Sequence, residues 1–518
     1  MSELNAGQTR FGDRIPRGLL AFLAGVAPAL VTLALVGGYL KRNLFDFRPA
    51  IWNDQAYYWH QILTFSHAGF NGGYYMFYER LPVFDFFHFG ASGFLYPALY
   101  GTLGRMVGWE TYTGVLLNML GIALGIWIVI YVARLDRVQI VLLGLFTLAV
   151  APVLQMMPTT MQESFHQTAA FILAAFFYRL LGREAGMPLP RWFVPAGVAF
   201  LVVISLLRFS WALLFLPLLL LSLNRWTWRR VLGAVVVSGL LAVAVLLIFQ
   251  DTSAPGNNSI FKRVGVLSSS PLAGIELIVN AIRLNLENML RIDDIHHPEL
   301  ARIEYIQFFV LAFCLLFAGR SFLKPVNQPG ITFSRWREWG FHLYNLTTIF
   351  GAALVFYLSN GYFRVFAPHI LLSGVLLIAF KNYRLVIVLV VIGLFGIIPF
   401  LTEYQPFSAN FVPVRPEQLA QIKAPYKQFL IYEPDADPWC NTLLTQAEFL
   451  DNRITFVPAG IGISFFVAPS DQPLPIRSRY LLLDPLSYEV LHTRVNLEYL
   501  ADVQSGRLYR NRDVNCGT

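Results

Sequence analysis

Asp54 is the first residue of this sequence whose type and position could support catalysis. It lies in Trp52-Asn53-Asp54-Gln55-Ala56-Tyr57, shortly after the first long apolar run. A carboxylate at a membrane edge that water can reach suits a general base, which would remove the proton of an attacking hydroxyl or amine. A helix cap is the alternative, because Asn and Asp at a helix start accept hydrogen bonds from first-turn N–H groups. Tyr57 is a candidate to bind the attacking molecule.

Two further polar residues of the same segment, Glu79 and His88, are candidates for binding a substrate. The segment is rich in aromatic side chains, which favour the boundary between membrane and water. The alternative for Glu79 is a local ion pair with Arg80, worth under about 1 kcal/mol if it is exposed.

Glu163 and His166 form a second polar group, in Met161-Gln162-Glu163-Ser164-Phe165-His166-Gln167. Residues at spacings of three and four share one face of a helix, so Glu163, His166 and Gln167 are predicted to lie together. We expect Glu163 to assist catalysis and His166 to contact substrate, because ionisable groups near a membrane are costly and tend to be functional. The alternative for Glu163 is an acid that complements the positive end of a helix.

Arg208 and Arg364 are candidates for holding a phosphate. Both lie where the chain is predicted to emerge on the outer side of a membrane, against the usual distribution of basic residues. The guanidinium fork binds two phosphate oxygens at once. The alternative is that both side chains reach toward lipid headgroups.

The composition predicts that most of these residues are positioned by membrane helices. Of 518 residues, 56% are hydrophobic and only 14% are charged, against about 25% charged in soluble domains. The net charge of +8 comes from basic residues that punctuate the apolar runs. Because they form no single basic patch, nucleic-acid binding is excluded.

We predict about 11 transmembrane helices, each formed by an apolar run long enough or nearly long enough to cross a membrane. The predicted spans are 18–40, 112–133, 138–156, 164–182, 193–207, 211–224, 231–250, 303–322, 341–359, 366–380 and 385–401. The fifth and sixth are short and form a hairpin with Arg208 at its apex. The run 93–108 is expected to be a re-entrant or surface helix, and an even number of crossings would follow if it spans.

Basic residues in every short loop on one side place the N-terminus in the cytoplasm. The sequence thus predicts a multi-pass protein of the plasma (inner) membrane, with a membrane domain over 1–401. The large outer loops are 41–111 and 251–302, and the latter includes an amphipathic surface helix at 271–292.

The tail 402–518 is predicted to be a small extracytoplasmic α/β domain. Short β-like runs at 429–432, 454–457, 463–467 and 480–484 alternate with turn residues. In an oxidising compartment Cys440 and Cys516 would either form a disulfide or remain free thiols, and the sequence leaves both open.

Together these features resemble the GT-C superfamily of integral membrane glycosyltransferases, which includes protein O-mannosyltransferases and the lipid A aminoarabinose transferase. The resemblance covers the layout of residues 17–401. It rests on an acid in a long first outer loop (Asp54), on His88-Phe89-Gly90 leading to Tyr96-Pro97, and on the outer residues Glu163, Arg208 and Phe363-Arg364.

The resemblance implies an inverting transferase that uses a polyprenyl-phosphate sugar. It implies that Asp54 is the base, Glu163 a supporting carboxylate, and Arg208 with Arg364 the phosphate clamp. The acceptor would be a glycan, lipid or protein in the cell envelope. No resident cofactor is implied, and no Asp-x-Asp motif in the first loop indicates a divalent metal.

Two other functions remain open from the sequence. One is a transporter or flippase for a lipid-linked glycan, although transporters place polar residues near mid-membrane. The other is a non-catalytic scaffold for envelope assembly.

Overall fold

The structure is a computed structural model, and most of the residues that it describes lie in helices. It describes residues 15–39, 41, 58, 62, 65, 93–109, 112–183, 189–223, 225–252, 266, 269–290, 306–316, 331–356, 362–396, 401, 480–483, 488–489, 492–493, 495–503 and 506–513. The predicted strands at 429–432, 454–457 and 463–467 lie outside these residues, as do Cys440 and Cys516.

The first half of the chain folds into helices that follow the apolar runs. These helices are α1 (Arg17–Ala34, continued by a π-helical turn Leu35–Tyr39), α2 (Leu95–Val107), α3 (Thr113–Val132), α4 (Arg137–Ala149), α5 (Ala151–Met156), α6 (Glu163–Leu181) and α7 (Phe193–Ser205). After a 3₁₀ turn, Phe209–Leu214, come α8 (Phe215–Ser222) and α9 (Trp228–Thr252).

The second half adds five helices and a sheet. The helices are α10 (Pro271–Leu290), α11 (Ile306–Leu316), α12 (Ile331–Phe356), α13 (Tyr362–Ala379) and α14 (Tyr383–Phe395). Strands β1 (Tyr480–Leu483), β2 (Leu497–Val503) and β3 (Gly506–Asn511) form an antiparallel sheet in the order β1-β3-β2. The sequence predicts β1 but not β2 or β3.

Among the described residues, three helices are long and apolar enough to cross a membrane, namely Arg17–Tyr39, Thr113–Val132 and Trp228–Phe249. Shorter apolar helices accompany them, as expected of an α-helical membrane protein. α2 has 13 residues, and at 1.5 Å per residue it is about 20 Å long. It is shorter than a straight crossing of a hydrocarbon core of about 30 Å requires, as are α4, α7 and α14, which also have 13 residues.

The predicted span 138–156 is two helices rather than one. The chain leaves helical geometry at Val150, between α4 and α5, where φ is −90° and ψ is 90°. Pro152 contributes no N–H to the helix, so the break leaves carbonyls to be satisfied elsewhere. The side chain of Gln307 donates to the Ala149 carbonyl at 3.0 Å, and that of Gln167 donates to the Pro152 carbonyl at 3.0 Å.

α6 is the central helix of the bundle, packed between α3 on one side and α13 on the other. Its buried residues run along its whole length and include Phe171 and Phe177. Its first turn is also buried but polar, because it carries Glu163, Ser164 and His166. α6 therefore holds Glu163 and His166 at one end of the buried core.

Candidate functional site

A buried ion pair joins two of the predicted site residues. Arg208 Nη2 lies 3.0 Å from Glu163 Oε1, and the two side chains are only 11% and 5% exposed. Glu163 opens α6, whose positive end favours an acid in the first turn. Arg208 has an extended backbone between α7 and the 3₁₀ turn, at the apex of the predicted hairpin. The pair places a cation and an anion in one water-poor site at the end of the bundle.

His166 is held one turn into α6 by a residue that the sequence analysis did not single out. The indole Nε1–H of Trp211 donates to His166 Nδ1 at 3.0 Å. Because an indole nitrogen only donates, Nδ1 must be the unprotonated nitrogen and the proton of the neutral ring lies on Nε2. No described residue is a hydrogen-bond partner of His166 Nε2.

A second histidine, His369 on α13, stacks on Trp211, the hydrogen-bond partner of His166. Its ring lies 4.5 Å from the Trp211 ring at an angle of 20°. Its Nδ1 is 2.7 Å from Asn345 Oδ1, and the Asn345 amide nitrogen donates to the His369 carbonyl and to Ser373 Oγ. A carbonyl only accepts, so Asn345 presents its oxygen to His369, and His369 Nδ1 carries the proton. Four helical segments are thus joined through polar side chains.

The turn that leads into α6 is fixed by two side chains from neighbouring helices. Asn118 donates to the carbonyls of Met157 and Thr159 at 3.3 and 2.7 Å. The hydroxyl of Tyr96 donates to the Thr160 carbonyl at 2.8 Å. All of these residues are buried, so the turn satisfies its backbone groups inside the protein. This anchoring holds the first turn of α6 in place.

The predicted first outer loop reaches the site through Tyr58. The amide nitrogen of Gln162 donates to the Tyr58 hydroxyl at 2.5 Å, one residue before Glu163. Tyr58 also packs edge-on against Tyr96, with ring centres 5.6 Å apart. Ile62 and Phe65, which follow Tyr58 in the sequence, are buried, and Phe65 packs with Ala98 of α2.

The remaining predicted site residues are not brought together by described contacts. Asp54, Tyr57, Glu79 and His88 lie outside the described residues. Arg364 belongs to the first turn of α13, but its side chain also lies outside them. Of the eight predicted residues, the structure therefore joins Glu163 and Arg208 directly and places His166 beside them.

Trp211, His369 and Asn345 are site residues that the sequence analysis missed. The available signal was a polar or amphipathic side chain inside an apolar run, since buried polar groups require partners. Periodicity alone could not show that these three partner one another.

Within the described ranges, no group of three His, Cys, Asp or Glu side chains is placed to hold a metal ion.

Comparisons with protein-family models, curated proteins and solved structures found no match.

The arrangement has two chemical capabilities. The Arg208 guanidinium can stabilise negative charge, and its pairing with Glu163 orients it. The imidazole nitrogens Nε2 of His166 and His369, together with Gln167 Oε1, have no hydrogen-bond partner among the described residues. Buried polar groups of this kind require a partner, such as water or a hydroxyl of a polar ligand.

Proposed function

We propose that this chain is a membrane glycosyltransferase that moves a sugar from a polyprenyl-phosphate donor to a glycan, lipid or protein acceptor. The observation that carries the proposal is the Glu163–Arg208 pair, buried beside His166 at one end of a bundle of apolar helices. A lipid-linked substrate needs this combination, because its chain requires an apolar surface and its phosphate requires a fixed cation.

The donor phosphate would be held by Arg208 together with Arg364. Arg364 lies five residues before His369 on α13, about 7.5 Å along the helix axis. His369 stacks on Trp211, which follows Arg208 by three residues. The backbone of Arg364 therefore lies within two helical turns of the cluster that contains Arg208, as one phosphate held by both arginines would require. Two guanidinium groups would stabilise the charge that develops as the phosphate leaves.

The base would be Asp54, with Glu163 in a supporting role. Tyr58 contacts the residue next to Glu163, and four residues of chain span at most about 14 Å. The chain length therefore allows Asp54 to act beside the pair. The acceptor oxygen or nitrogen would bond to C1 of the sugar as the bond from C1 to the phosphate oxygen breaks. The polyprenyl phosphate leaves with the bonding electrons, and Asp54 takes the acceptor proton. Attack from the face opposite the leaving phosphate would invert the configuration at C1.

Transport of a lipid-linked glycan is the second candidate. It is favoured by the Asn345, His369 and Ser373 network, which lies inside α12 and α13 rather than at their ends. Transporters place substrate groups at this depth. Transfer remains the better-supported proposal, because the charged residues lie at a helix end.

The test is release of radiolabelled sugar from polyprenyl-phosphate donors by purified protein. Asp54→Asn and Arg364→Ala should each lower turnover by about 100-fold or more. Arg208→Lys should also be impaired, because an ammonium ion lacks the bidentate fork. Arg283→Gln is the control. Arg283 lies on α10 with its side chain exposed, and it forms an exposed ion pair with Glu287 at 3.5 Å. A parallel reaction with a chelator tests for a required metal.

Two outcomes would contradict the proposal. Unchanged turnover in Asp54→Asn and Arg364→Ala would refute the assigned roles. Absence of turnover with every donor, while labelled lipid still binds, would favour transport or a scaffold.

A further inference from the structure

A groove lies at the opposite end of α6 from the candidate site. It has a volume of about 640 Å³ and is bounded by α3, α6 and the start of α7. Pockets that bind small ligands have volumes of about 300–1,000 Å³. Arg179, in the last turn of α6, is 16 residues beyond Glu163 and so about 24 Å away along the helix. The groove is therefore separate from the Glu163–Arg208 site.

Two arginines four residues apart give the groove a positive end. Arg179 and Arg183 both line it, and Arg179 is exposed. Arg183 is held in position because its guanidinium donates to the Leu223 carbonyl at 3.3 Å. Among the described residues that line the groove there is no carboxylate. Two positive side chains at one end of a groove attract an anion.

The rest of the groove is apolar and aromatic. Phe176 of α6 and Phe193 of α7 contact each other there, with ring centres 5.1 Å apart. Trp192 packs against Phe193 at 5.9 Å and is 65% exposed. An exposed tryptophan in the same groove as the arginines is typical of the boundary between membrane and water. The groove thus combines two arginines at one end, the exposed ring of Trp192 and an apolar surface formed by Phe176 and Phe193.

We propose that this groove binds an anionic phospholipid of the surrounding leaflet. Its phosphate would lie between Arg179 and Arg183, and an acyl chain would follow Phe176 and Phe193. The two positive charges select an anionic over a zwitterionic headgroup, since each basic residue near a membrane surface strengthens binding of anionic lipid. The site requires no glycosyl transfer, so it stands or falls independently of the proposed function.

The test is native mass spectrometry of delipidated protein titrated with phosphatidylglycerol or phosphatidylcholine. Wild-type protein should bind phosphatidylglycerol at least about tenfold more tightly. Arg179→Gln/Arg183→Gln should lose that preference, because its affinity for phosphatidylglycerol should fall to that for phosphatidylcholine. Arg229→Gln/Arg230→Gln is the matched control, because it removes the same charge from two exposed arginines at the start of α9. It should bind like the wild type.

Three outcomes would overturn the proposal. The first is unchanged phosphatidylglycerol affinity in Arg179→Gln/Arg183→Gln, and the second is an equal loss in the control variant. The third is displacement of the lipid by an equimolar amount of inorganic phosphate, which would identify a site for free phosphate. If the double variant does not fold, the exposed Arg179→Gln alone should still lose about fivefold in affinity, and no loss would refute the site.

Discussion

At the residue scale, the main feature is the Glu163–Arg208 pair, whose two side chains are charged and almost wholly removed from solvent. Taking two charges out of water is costly, and breaking such a pair by removing one partner leaves a buried charge. Replacing both partners by neutral groups of similar size avoids that cost. The pair can therefore be tested for function separately from stability.

Arg208→Met should lower the free energy of unfolding by about 3–5 kcal/mol, because the Glu163 carboxylate loses this cation while still buried. Glu163→Gln/Arg208→Met should recover most of that loss. Thermal unfolding in detergent, followed by tryptophan fluorescence, measures both. Sugar transfer should stay low in the double variant despite its recovered stability. Equal melting temperatures for the two variants would contradict this role of the pair.

At the element scale, one polar group joins the start of α4 to the end of α13. The Asp136 side chain accepts from the Gln139 backbone N–H at 3.0 Å, and Gln139 Oε1 accepts from the Asp136 N–H at 2.9 Å. The Gln139 amide nitrogen also donates to the carbonyls of Ile378 and Ala379. Lys381 lies 3.2 Å from Asp136, with both side chains partly exposed. The capping box at the start of α4 thus also satisfies the last carbonyls of α13, through the side chain of Gln139.

Asp136→Ala should destabilise the protein by about 0.5–2 kcal/mol, the usual cost of losing an N-cap. Asp136→Asn should retain most of that stability near neutral pH, because an amide oxygen caps a helix equally well. A melting temperature for Asp136→Asn as low as that for Asp136→Ala would show that the charge, rather than the cap, matters.

The same residue predicts a pH dependence. Partial burial acts to raise the pKa of Asp136, but the hydrogen bond from the Gln139 backbone and the Lys381 ammonium outweigh it and lower the pKa. A lowered pKa means that the charged form adds stability above the unfolded value of about 3.9. This contribution is lost as pH falls through the lowered folded pKa. Wild type and Asp136→Asn should therefore converge in melting temperature under acid conditions, and a constant difference would refute the shift.

Close helix packing at glycine gives a further prediction at this scale. A side chain at Gly374 of α13 would overlap the ring of Phe146 on α4, whereas one at Gly239 of α9 would meet no atom within 4 Å. Gly374→Ala should therefore cost about 1–3 kcal/mol through overpacking. Gly239→Ala should be neutral or slightly stabilising, because alanine favours helix over glycine. Equal effects on thermal stability would contradict the close contact.

The whole molecule is a mostly helical bundle with apolar helices that suit a membrane. The candidate site and the lipid groove lie at opposite ends of α6, so they would face opposite sides of that membrane. The distribution of basic residues predicts that the groove end faces the cytoplasm under the positive-inside rule. Both proposals therefore predict the same orientation of the protein in the membrane.

Single cysteines should report this orientation in a background with Cys314, Cys440 and Cys516 replaced by serine. Val107→Cys, exposed at the end of α2, should react with a membrane-impermeant thiol reagent in intact cells. Arg225→Cys, exposed between α8 and α9, should react only after the membrane is permeabilised. The reverse pattern would invert the proposed topology.

Hydropathy and helical periodicity are local properties, so the sequence by itself determined the membrane class and most helices. It also placed Arg208 at a hairpin apex, and Glu163 with His166 on one helical face. The segment 271–292 was correctly predicted as a helix, observed as Pro271–Leu290. The break at Val150 was missed, although Pro152 was a visible signal for it.

Only the tertiary structure decided which polar groups meet. Glu163 and Arg208 are 45 residues apart in sequence, as are His166 and Trp211. His369 reaches this cluster from a helix near the end of the bundle. Such contacts follow from how whole helices pack, which is set by many small dispersion and burial terms spread over their surfaces. No local sequence pattern records the total of these dispersion and burial terms. Side chains could therefore be assigned to helix faces from the sequence, but their partners could not.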